Sequence, residues 1–131
     1  IHRRFLEKMN EGNSTILDKK KNKGETITHE DVLNAAMQED MLAIELIEEV
    51  GTTLGKYIAG LINLFNPELV IIGGSVARTG DYFLLPIKSA VKKYSLNFVS
   101  KDTVIKLSKL GDKAGVIGAC LLARSKMLGI V

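Results

Sequence analysis

The sequence predicts an α/β fold, rich in helix and poor in strands, from three features. Residues 40–65 carry apolar side chains at helical spacing, a β-branched run at Leu69–Ile72 follows at once, and helix and strand signals then alternate to the end. The 131 residues suffice for one domain and are few for two. With 46% hydrophobic and 25% charged residues, the composition is that of a folded globular chain, which argues against disorder.

In chain order, residues 1–12 read as a short amphipathic helix with Phe5, Leu6 and Met9 on one face, ended by Glu11-Gly12-Asn13. Ser14–Leu17 reads as a brief turn. The basic stretch Lys19–Gly24 is either a phosphate-binding patch or a solvated connector; nothing apolar or aromatic supports it, which favours the connector. Thr28-His29-Glu30-Asp31 has the form of a capping box, in which the Thr hydroxyl and the carboxylate satisfy free N–H groups at a helix start. Val32, Leu33, Ala36 and Met37 follow on one stripe. His29 is expected exposed in that first turn and His2 is equally isolated. Neither has a partner at metal-ligand spacing, so no metal site is assigned.

Residues 40–65 give the strongest helix. Ala43, Ile47, Val50, Leu54, Ile58, Leu61 and Phe65 form its stripe, and Met41, Ile44, Leu46, Tyr57, Ile62 and Leu64 widen it. Gly51 and Gly55 share a face and read as a place where another backbone packs closely. Asn66-Pro67 stops the helix, because the residue before proline is driven out of the α region. Leu69–Ile72 then reads as a parallel strand buried on both faces. It ends in Gly73-Gly74-Ser75.

Asp81 is expected to cap the next helix, whose inner stripe is Phe83, Ile87, Ala90, Val91 and Tyr94; Pro86 is expected near its first turn or as a kink. Thr103–Leu107 reads as a more exposed strand with Lys106 facing away. A last helix runs from Ala114 to about Met127. Its start is small-sided, and Gly115 and Gly118 each cost about 1 kcal/mol relative to alanine, so a strand or a ligand is expected against that face. Two strands do not make a stable sheet alone. Either a third lies within 13–27, or strands are missing, or another chain supplies them.

Charge and cysteine usage bound the function. The net charge is +3 and the pI about 9.0, with basic residues spread along the chain, no Trp and seven Phe or Tyr, which disfavours a nucleic-acid module. The single cysteine, Cys120, sits in an apolar run and is expected to be a buried, inert thiol. That fits a cytoplasmic setting. No apolar run reaches membrane-spanning length, and the charged start Ile1–Phe5 is no signal peptide. The chain begins as though cut from a longer one.

The turn after the first strand carries the functional signal. Ligands of open α/β sheets bind beyond the carboxyl ends of strands, and glycines there let backbone touch a phosphate, ribose or base. A plain tight turn is the alternative. There is no Walker loop and no spaced three-glycine dinucleotide motif.

Residues Leu61–Ser75 (LINLFNPELVIIGGS) and Gly111–Ala119 (GDKAGVIGA) together resemble the C-terminal end of the ROK family of repressors, open reading frames and kinases, over about residues 30–131. The resemblance implies that 1–131 is the C-terminal portion of a partial actin-like ATPase (ribonuclease H-like) lobe. It further implies that Gly73, Gly74, Ser75, Gly115 and Gly118 lie near the nucleotide side of a cleft. No catalytic residue is assigned, because the family's phosphate loop, catalytic Asn-Asp pair and zinc loop have no match here. ATP with magnesium, and zinc, are implied only for a complete protein. The expected function is that of a sugar-responsive transcriptional regulator, this chain serving effector sensing and oligomerisation. Its partners would be a sugar or sugar-phosphate effector, DNA through an N-terminal part, and further copies of itself. The alternative is the C-terminal part of a glucokinase-like sugar kinase.

Overall fold

The computed structural model describes residues 1–129, the side chain of Asp112 apart. Among the described residues, seven helices and two strands follow in the order α1 (His2–Asn10), α2 (Asp18–Asn22), α3 (His29–Met37), α4 (Met41–Phe65), β1 (Leu69–Ile72), α5 (Asp81–Tyr94), α6 (Asn97–Ser100), β2 (Val104–Leu107) and α7 (Ala114–Leu128). Short 3-10 turns at Ser75–Thr79 and Gly111–Lys113 follow the two strands.

The centre of the fold is the crossing of α4 and α5. A Cβ on Gly55 would lie 2.6 Å from the Ile87 carbonyl oxygen and 2.7 Å from the Ala90 Cβ; one on Gly51 would lie 2.9 Å from the Phe83 carbonyl oxygen. The two glycines therefore let α5 rest on the α4 backbone, as the shared spacing predicts. Around this contact Ile47, Ile58, Ile62, Phe83, Ile87 and Val91 are buried. Each such side chain contributes about 1.5–3 kcal/mol by leaving water.

Both ends of α4 are specified locally. Asp40 caps the N-terminus, accepting from the Ala43 N–H at 2.9 Å, while its other oxygen accepts from the Thr15 hydroxyl and the Ile16 N–H, both at 2.8 Å. One buried carboxylate thus starts the helix and holds the preceding loop against it. At the other end Asn66 adopts the left-handed conformation (φ 45°), which asparagine tolerates, and Pro67 follows. Helix α1 buries Phe5 and Met9, and pairs Arg4 with Glu49 and Lys8 with Glu45 on α4.

Strands β1 and β2 pair in parallel, from Leu69 opposite Val104 to Ile72 opposite Leu107. The sheet departs from expectation on one point. Ile72 and Ile105 are buried against the helices, but Leu69 (49%) and Ile71 (63%) are exposed. The apolar run reads as buried on both faces, yet the described residues supply a helical layer to only one. For the same reason Leu61 and Phe65 of the predicted stripe, and Met41, Tyr57 and Leu64 beside it, lie at the surface.

Other expectations also change. Residues 13–27 hold no strand; part of the basic stretch there forms α2, tied by Lys20 to Asp31 and Lys21 to Asn10. Gly80, not Asp81, occupies the cap position of α5, and Pro86 is the sixth residue of that helix, where its ring carbon would meet any side chain placed at Gly51. Met37 is half-exposed. Cys120 is exposed, because α7 buries none of its residues.

The close approach yields a stability test. Gly55→Ala is expected to lower stability in urea unfolding by about 1–3 kcal/mol, since the neighbours of its Cβ are backbone and a short side chain. Gly60→Ala, on the open face of the same helix, should raise it by about 0.5–1 kcal/mol.

Candidate functional site

Parallel pairing puts the carboxyl ends of both strands on one side, and the loops that leave them lie together. The Ser108 N–H donates to the Ile72 carbonyl at 2.8 Å. A Cβ on Gly73 would sit 3.8 Å from the Ser108 Cβ, an ordinary contact. Gly74 has φ 95° and ψ 172°, a conformation essentially confined to glycine, and nothing lies within 4 Å of where its Cβ would be. The turn is therefore bent in a way that requires glycine and leaves backbone approachable from outside. The following 3-10 turn, Ser75–Thr79, packs against Gly111–Lys113 after β2.

Helix α3 closes one side of this turn. Its first three residues each reach a different neighbour. The His29 Nε2 lies 3.4 Å from the Ser75 hydroxyl, Glu30 pairs with Arg78, and the Asp31 carboxylate accepts from Lys20 at 2.8 Å. Asp31 also completes the capping box, accepting from the Thr28 N–H at 2.7 Å while the Thr28 hydroxyl accepts from the Asp31 N–H. The Lys20 ammonium, then the Thr28 N–H and hydroxyl, hold its carboxyl down to about 2.

Of the five residues singled out from sequence, the fold brings Gly73, Gly74 and Ser75 together with Ser108 and the Gly111–Lys113 turn. Gly115 and Gly118 sit on α7, where an added Cβ would meet nothing within 4 Å. The close neighbour expected for their small-sided face is thus absent among the described residues. His29, Glu30 and Arg78 were not expected at this site. His29 is half-buried rather than exposed, and its contact spans 46 positions, a separation at which local sequence patterns carry no signal. Among the described residues no group of three or more His, Cys, Asp or Glu is placed to hold a metal ion. No described helix is long and apolar enough to cross a membrane.

A parallel β-α-β unit with its glycine turn at the carboxyl edge, preceded by a long helix ending in Asn-Pro, is part of a lobe of the actin-like ATPase fold. The chain belongs to the ROK family, whose pattern matches residues 6–126. It is 37% identical over 100 residues to a glucokinase of Halalkalibacterium halodurans, covering 76% of this chain and 30% of that protein. It is 33% identical over 102 residues to the xylose repressor of Caldicellulosiruptor bescii, covering 78% of this chain and 26% of that protein. A solved ROK family transcriptional regulator, described as a homologue of the E. coli MLC protein, superposes with a TM-score of 0.73 at 30% identity, over 80% of this chain and 26% of its own. The chain thus spans about a third or less of these relatives, which include both repressors and glucokinases.

Three substitutions test the site. The folded carboxyl of Asp31 sits below its usual value, so its contribution to stability is complete above about pH 4 and is lost as pH falls towards about 2. Acid unfolding should accordingly show a stability loss in that window that Asp31→Asn flattens. Gly74→Ala should cost roughly 1–3 kcal/mol in thermal or urea unfolding. Gly73→Ala should stay within about 0.5 kcal/mol of the parent chain.

Proposed function

We propose that the complete protein is a sugar-responsive transcriptional regulator, and that this chain is the C-terminal portion of its effector-sensing and oligomerisation lobe. The observation that carries this reading is the superposition, at 30% identity over four-fifths of the chain, on a solved regulator of the family. The similarity to a xylose repressor supports it further. In this reading the complete protein is cytoplasmic and acts as a homo-oligomer. It takes a sugar or sugar-phosphate as effector and reaches DNA through a part outside this chain. The glycine turn Gly73–Ser75 forms one wall of the effector lobe, and no residue of this chain performs chemistry. Zinc is assigned to the complete protein only.

A second reading, an ATP-dependent sugar kinase, is favoured by the 37% identity to a glucokinase. There the same turn would approach the phosphates or ribose of ATP with magnesium, its open glycine backbone meeting the nucleotide without an intervening Cβ. Gly115 and Gly118 would face the cleft from α7.

One set of measurements on the full-length protein separates the two. The protein is sized by light scattering, its retention of DNA from its own promoter region is followed across a panel of hexoses, pentoses and their phosphates, and ATP consumption is assayed with the same sugars. The regulator reading expects an oligomer that holds promoter DNA, releases it with one sugar, and consumes no ATP. Sugar-dependent ATP turnover without DNA retention would sink it in favour of the kinase. In that case Gly73→Ala, harmless to folding, should weaken nucleotide affinity.

A further inference from the structure

The outer edge of β2 faces a groove of about 530 Å³ lined by α5, α6 and the start of the strand. Its lining includes Thr103, Val104 and Ile105. Thr103 precedes β2 and Val104 and Ile105 are its first two residues, so the groove opens at the start of the strand's outer edge. The hydrogen bonds fix which backbone groups point there. The Val104 N–H donates to the Glu68 carbonyl and the Ser108 N–H to the Ile72 carbonyl. Residues 104, 106 and 108 therefore turn their backbone groups towards β1, and Ile105 and Leu107 turn theirs the other way. Among the described residues no strand pairs with that side of β2.

The walls carry one sign of charge. Lys88 and Lys92, one helical turn apart on α5, and Lys101 after α6 line the groove around Val91 and Ile105. None of the three has an ion pair or hydrogen bond to another described residue. Basic residues that are spread in sequence are thus gathered here by the fold. From residue 84 onwards the chain has nine Lys or Arg against two acids, Asp102 and Asp112, so the surroundings offer little neutralisation.

From these features we infer that the groove is a docking site for an extended acidic segment of a partner protein, added as a strand to the outer edge of β2. The backbone groups of Ile105 and Leu107 supply the pairing, as in other strand-addition modes, and the apolar floor accepts alternate side chains. The three lysines select for carboxylates and disfavour basic segments. A nucleic acid would use the lysines but has no use for the strand edge or the apolar floor, which is why the peptide is favoured.

The experiment titrates the full-length protein, nitrogen-15-labelled, with a capped Glu-Val-Glu-Val-Glu-Val-Glu peptide. Expected are chemical-shift changes centred on the Ile105 and Leu107 amides, and an affinity about tenfold weaker in the Lys88→Gln/Lys92→Gln/Lys101→Gln variant, the yield of three exposed charge contacts. The same peptide N-methylated at every backbone amide keeps its charge and loses its backbone donors on both edges, and should lose binding to the unaltered protein. Equal binding of the N-methylated peptide overturns the proposal, as does an absence of shifts at Ile105 and Leu107. Tighter binding of a short DNA duplex at the same lysines also overturns it and makes the surface a polyanion patch. The N-methylated arm uses no variant, so a folding defect in the triple substitution leaves the test intact.

Discussion

The approach of α5 to the backbone of α4 at Gly51 and Gly55 sets the rest of the structure. Any side chain at Gly55 would overlap the Ile87 carbonyl and the Ala90 methyl. Because no side chain stands there, α5 settles directly on α4, and Phe83, Ile87 and Val91 are buried in one cluster with Ile47, Ile58 and Ile62. Helix α5 is also the crossover between β1 and β2. Its position on α4 therefore fixes where β2 lies beside β1, and with it the side of the sheet on which both strands end. The proximity of the Gly73–Ser75 turn to Ser108 and Gly111 is a consequence of that helix contact.

A second constraint comes from the first turn of α3. Asp31 is held by Lys20 and by the capping box, so α3 starts at a defined place and angle. His29 and Glu30 then lie against Ser75 and Arg78. Residues distant in sequence thereby brace the turn whose bend Gly74 permits. The same fold that braces this end of the sheet leaves other surfaces bare. One face of β1–β2, the outer row of α4 and nearly all of α7 are apolar and exposed. Helices with apolar residues on all sides are enclosed in larger assemblies. The chain accounts for about 30% of the length of a related glucokinase.

The expectations from sequence that held share a physical basis in short-range geometry. Helical periodicity identified α4 because 25 residues of consistent spacing leave little ambiguity. Asn66-Pro67, the capping box at Thr28 and the strand at Leu69–Ile72 each follow from steric or hydrogen-bonding rules acting within a few residues. The glycine pair was legible as a packing site because four-residue spacing puts both on one face. Those that failed depend on what lies across space. Leu69 and Ile71 are apolar enough to be buried, and Cys120 stands in an apolar run, but burial requires a covering layer that local pattern does not reveal. The cap of α5 fell to Gly80 instead of Asp81, a matter of chain direction on leaving the 3-10 turn.

By itself the sequence determined the order and type of the main elements, the family signature at Leu61–Ser75 and Gly111–Ala119, and the turn at which a ligand is expected. These are encoded in contiguous residues, where propensity, capping and proline sterics act. Only the tertiary structure decided that His29 and Arg78 belong to the glycine turn, that Gly115 and Gly118 face open space, and that Lys88, Lys92 and Lys101 converge on the edge of β2. The first follows from where the capping box starts α3, the second from α7 burying none of its residues, and the third from the packing of α5 on α4, so each depends on how residues distant in sequence finally lie in space.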